Sequence, residues 1–172
     1  MTDLSAAPRA APPWVIPPGD PTFAGFQAWV AAVMGVPTGA MPDVTTLQVA
    51  YDEAVNLAYT GLQGVPSQST SLSVYAQAVY NLGGAILVEI AQDDPNGQFP
   101  TFWSDLRTKL GINSFAPGLI NQAHDQGTGD GYYILPQLAG LTLLGLQLIK
   151  SPWGRNYLMF AGQWGPLWGL TI

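Results

Sequence analysis

The chain contains no cysteine and only one histidine, His124. Without cysteine there is no disulfide frame, no thiolate nucleophile and no Cys-ligated zinc. A single histidine excludes any two-histidine metal site and leaves one imidazole for acid–base work. Charge is scarce too: 9 % of the residues are charged, against roughly 25 % in ordinary domains. Soluble monomers use charge to keep their surfaces from associating, so this shortage points to a surface that meets other protein. Five scattered cations (Arg9, Arg107, Arg155, Lys109 and Lys150) and a net charge of −6 cannot build the basic track that nucleic acid requires. Sequence-specific nucleic-acid binding is not expected.

The opening residues lack the basic start and apolar run of a secretory leader. Leu72–Ala91 is the most hydropathic stretch, but it carries Gln77, Asn81, Gly83-Gly84 and Glu89. Such groups are costly in lipid. The segment is expected to be a buried core helix, with no membrane association.

Proline, aromatic residues and glycine are plentiful. Residues 1–21 hold six of the fifteen prolines and read as an extended arm. Trp14 and Ile16 form its apolar island and are candidate partner-binding residues. Beyond the arm, apolar residues recur at helical spacing. Asp20 and Pro21 suit the start of a first helix, with Phe23, Phe26, Val30, Val33, Trp29 and Met34 inward and Gly35 as its stop. Asp43 caps a second helix over about Val44–Leu62. The third, Leu72–Gln92, is apolar nearly all round, as a central helix should be. A fourth opens at Pro100, closes at Gly111, and carries an Asp105–Lys109 surface pair.

Residues 112–124 read as a short element before a glycine-rich tip, Asp125–Gly131. A fifth helix over about Leu135–Ile149 and a sixth, capped by Ser151 and running to Phe160 or Ala161, complete the set. The expected fold is all-α. It is one helical bundle of five or six helices over residues 22–161, with an arm at 1–21 and an extended aromatic tail at 162–172. In that tail Trp164, Leu167, Trp168 and Leu170 are further candidate partner-binding residues, since tryptophan is enriched at buried interfaces; packing back on the same chain is the equal alternative.

A search for chemistry returns little. Counted from Asp125, the third and fifth positions of a calcium loop are Gly127 and Gly129, and the twelfth is Pro136, so the ligand pattern fails. Asp93-Asp94 and Asp52-Glu53 are adjacent pairs whose carboxylates diverge on a helix, and read as solvated surface groups. The Gly127–Gly131 run lacks the Lys-Ser/Thr and the preceding strand of a phosphate loop. Glu89, the one charge in an apolar helix, is expected to reach solvent or pair with Arg107 or Arg155. No catalytic residue, metal site or cofactor is expected.

Four stretches resemble a group of small tailed-bacteriophage virion proteins. They are FQAWVAAVMGVPTGAMPD (Phe26–Asp43), VYAQAVYNLGG (Val74–Gly84), FWSDLRTKLGINSF (Phe102–Phe115) and SPWGRNYLMFAGQWGPLWGLT (Ser151–Thr171). The resemblance spans roughly residues 23–171, leaves out the N-terminal arm, and is most specific at the C-terminus. It implies a head-to-tail connector (neck or adaptor) subunit of the virion, made in the host cytoplasm. It further implies a homo-oligomeric twelvefold ring between the portal protein and downstream neck or tail proteins, giving a passage for DNA. A tail terminator or capsid decoration protein is the alternative within the structural class, and a small phage hydrolase or membrane-acting protein the alternative outside it.

Overall fold

The structure is a computed structural model that describes residues 19–65, 72–113, 119–122, 131–133 and 143–164. It is all-α, with six α-helices among the described residues: α1 (Phe23–Ala32), α2 (Val44–Leu57), α3 (Val74–Ile90), α4 (Phe102–Leu110), α5 (Leu143–Leu148) and α6 (Pro152–Trp164). Short 3-10 turns follow α1 and α2. A two-stranded antiparallel ribbon, β1 (Leu119–Gln122) with β2 (Gly131–Tyr133), flanks the glycine-rich tip. Gly131 therefore belongs to a strand and not to the tip. Residues 123–130, including His124, Asp125 and Asp130, lie outside the described set, as do both arms up to residue 18 and from residue 165.

α3 is the axis of the bundle. Thirteen of its seventeen residues are buried, and α1, α2, α4 and α6 all pack against it. The expected core helix is thus a core helix, and its glycines explain the packing. A methyl group on Gly83 would stand 2.9 Å from the ring of Phe26, and one on Gly84 2.9 Å from the indole of Trp29. Two adjacent residues without side chains let the aromatic face of α1 lie directly on the α3 backbone.

Several helix ends follow local chemistry; α2 departs by ending at Leu57 and not at Leu62, because Ala58 turns extended, and the ends of α1 and α6 depart as well. Asp43 accepts from the Thr46 amide, Ser73 from Ala76 and Ser151 from Gly154, as N-caps do. Gly111 ends α4 in the left-handed region at φ 63°, where a side chain would be strained. The departure at α1 is its N-cap, which is Thr22 and not Asp20. The reason is tertiary. The Tyr80 hydroxyl accepts from the Thr22 amide and donates to its carbonyl, and Ser73 Oγ donates to Gly19. Residues 19–22 are thereby held against the start of α3, and the helix begins after them.

The departure at α6 is at the other end of the chain, where the helix passes through Gly162 to Trp164. One glycine costs a helix interior only about 1 kcal/mol, which the packing of α6 on α3 offsets. The extended tail accordingly cannot begin at 162. Two smaller expectations also change. Val33 is 60 % exposed because α1 has ended at Ala32, and Asp105 accepts from Thr101 Oγ1 at 2.9 Å instead of pairing with Lys109.

Candidate functional site

The candidate partner-binding residues Trp14, Ile16, Leu167, Trp168 and Leu170 lie outside the described residues. Trp164 is the last residue of α6.

Several described ionic side chains bind backbone groups at helix ends and loops. Arg107 donates to the carbonyls of Val88 (3.1 Å) and Ala91 (2.7 Å), closing the C-terminal end of α3. Arg155 does the same at Ile149 (2.9 Å), and Lys150 donates to Ile112 (3.0 Å). A helix C-terminus leaves carbonyls unpaired and carries partial negative charge, so a cation there is doubly favourable. Glu89 is exposed, the first of its two expected outcomes, and pairs with neither arginine. It accepts from Gln147 and faces Lys150; burial pushes its pKa up, and those two groups oppose the shift.

Asp93 is the clearest case of a residue whose role was invisible in its neighbours. It reads as a surface acid beside Asp94, yet it accepts from the amides of Trp103 (2.6 Å) and Ser104 (3.0 Å). It therefore caps α4 from ten residues away, where Thr101 offers no side-chain cap. Burial alone would raise its pKa. The hydrogen bonds from Ser104 and Trp103, with the Arg107 guanidinium 3.9 Å away, outweigh that and hold it below the usual carboxylate value.

A depressed carboxylate contributes stability that is full above its unfolded pKa and lost as pH falls through the folded one. Asp93→Ala should therefore cost about 1–3 kcal/mol at neutral pH. In urea titrations the deficit should stay flat above about pH 5 and shrink in stronger acid. A deficit independent of pH would remove the charge from this account.

Among the described residues two concave surfaces stand out. The first, a groove of about 270 Å³ at the start of α4, has Phe99, Phe102 and Leu106 as its apolar lining and Gln98, Asp105 and Lys109 around it. Phe99 is 38 % exposed there. The second, about 350 Å³ and more open, lies along α6 between Ile149, Leu158, Met159 and Gly162, beside Arg155. The first holds one hydroxyl–carboxylate pair, Thr101 on Asp105 at 2.9 Å, and the second is lined by no hydroxyl or carboxylate side chain. Sequence reading missed both. Phe99 falls between the Gly97 turn and Pro100, outside any periodic stripe, and Met159 stands on the polar side of α6.

Among the described residues no group of three or more histidine, aspartate or glutamate side chains converges as metal ligands. No described helix is long and apolar enough to cross a membrane. Comparison with protein-family models, with curated proteins and with solved structures finds no match.

Proposed function

We propose that this chain is a non-catalytic structural subunit of a tailed-phage virion. In this reading it is a head-to-tail connector or adaptor whose copies form a ring between portal and tail and leave a passage for DNA. The observation that carries the structural reading is the use of its ionic side chains. Asp43, Asp93, Arg107, Arg155 and Lys150 all bind backbone groups that hold helix ends and loops. What the described surface offers a partner is apolar: the two grooves, together with Val44, Leu57 and Met159, each more than half exposed.

The resemblance of the four stretches supplies the virion and the neck. The net charge of −6 suits a wall past which DNA moves without adhering, because like charge repels phosphate.

The tail follows α6 and the second groove, and its Leu167, Trp168 and Leu170 are the natural attachment to the portal. Truncation after Trp164 should leave the helical circular-dichroism signal intact and abolish co-purification with the portal protein. Electron microscopy of the full chain with portal should show an added ring. A truncated chain that still binds, or a full chain that never adds density to the portal, would sink the connector reading.

A further inference from the structure

The N-terminal arm and the α4 groove belong to opposite ends of the molecule. Residues 1–18 lead into Gly19, whose backbone pairs with Leu72 and whose carbonyl accepts from Ser73, at the N-terminal end of α3. The groove is at the other end, where Arg107 of the same helix α4 reaches the Val88 and Ala91 carbonyls. Trp103 beside it donates to Ala40. The seventeen residues of α3 separate the two ends by about 25 Å at 1.5 Å per residue. Trp14 stands five residues before Gly19, and five residues span at most about 18 Å. Only an arm stretched to its full length and laid straight along α3 would bring a Trp14 ring near its own groove, whereas an arm from a neighbouring copy has no such limit.

The chemistry of the groove fits that residue. Phe99, Phe102 and Leu106 offer an apolar bed, and the Asp105 carboxylate and the Gln98 amide oxygen are acceptors at its rim. An indole wants both, an apolar face for the ring and an acceptor for its single N–H. Trp14 is flanked by Pro12, Pro13, Pro17 and Pro18. Proline-rich segments are extended before they bind, lose little entropy on docking, and characteristically enter aromatic-lined grooves.

We propose that the α4 groove of one copy receives Trp14 from the N-terminal arm of a second copy. The arm leaves one end of the subunit and the groove lies at the other, so the contact is head-to-tail. Each copy gives an arm to one neighbour and takes an arm from another. Such heterologous contacts close into rings when the rotation between copies allows. The proposal rests on the self-association in the proposed function and names its contact; it is independent of where in a virion the ring sits.

The test uses full-length protein and two single variants. Trp14→Ala disables the arm and Phe99→Ser the groove, with Asp105→Arg at the exposed rim as a second groove variant should Phe99→Ser fail to fold by circular dichroism. Analytical ultracentrifugation of the wild type should show multimers. Each variant alone should associate at least about 30-fold more weakly, the loss typical of an interface hot spot. Mixed together, the two should form one-to-one dimers that do not grow, because one intact arm and one intact groove remain. Wild-type multimers unchanged by Trp14→Ala would overturn the arm contact and leave the structural-subunit reading standing. Variants that never pair would overturn the head-to-tail geometry. A wild type that stays monomeric at every concentration would remove self-association, and the ring with it.

Discussion

Trp103→Ala is expected to lower the unfolding free energy by about 3–5 kcal/mol, the range for deleting a large buried aromatic side chain. The residue is 1 % exposed and stands edge-to-face with Phe102, ring centroids 5.1 Å apart. Its indole N–H donates to the Ala40 carbonyl at 2.9 Å, joining residues 63 apart in sequence. Truncation therefore opens a cavity and also leaves a buried carbonyl without a donor, and the two costs add. Trp103→Phe separates them. It keeps most of the bulk, loses the hydrogen bond, and should cost about 1–3 kcal/mol. Urea denaturation followed by circular dichroism measures both. A Trp103→Ala deficit below about 1 kcal/mol would mean that α4 is not docked on the loop between α1 and α2.

Gly154→Ala is expected to cost about 3 kcal/mol or more, at the upper end for overpacking. Gly154 is buried in the first turn of α6. A methyl group there would overlap the Leu148 carbonyl oxygen and stand 2.7 Å from its carbon and 2.8 Å from its Cα. Side-chain ends can rotate away from such a clash, but backbone at the end of α5 can do so only by moving the helix. Displacing α6 would disturb the Ser151 cap, whose Oγ accepts from this same amide at 2.9 Å, and the packing of Tyr157 and Leu158.

Gly84→Ala is the internal comparison. Its new methyl would meet the Trp29 ring edge at 2.9 Å and Met34 Sδ at 3.1 Å, both ends of side chains, so its cost should be the smaller. If thermal melts rank the two the other way, α5 and α6 do not meet as described.

Helix positions were legible because their signals are local. Asp43, Ser151 and Gly111 act where they stand, within three or four residues of the groups they satisfy. The all-round apolarity of α3 announced a central helix, and α3 is central. Errors clustered where a distant residue wins over a near one. Asp20 is as good a cap as Thr22 by composition, but Tyr80, 58 residues away, decides between them. Glu89 reaches solvent, one of its two expected outcomes, and the two arginines offered as partners go elsewhere. Both are taken by helix-terminal carbonyls, whose cluster of aligned acceptors attracts a cation more strongly than one half-exposed acid.

The partner-binding reading is the least legible part. Trp14 and the tail residues stand out by composition alone, and what they touch depends on surfaces assembled from several elements. The sequence by itself determined that this is an all-α chain with a central apolar helix, because hydrophobic period and capping chemistry act over a few residues. It also determined a chain poor in charge, because composition needs no fold. Only the tertiary structure decided that Asp93 caps a helix ten residues away and that Gly154 must lack a side chain. It likewise decided that the groove at α4 and the root of the arm lie at opposite ends of α3. Each of these depends on where a second element comes to rest, and packing, not local preference, sets that position.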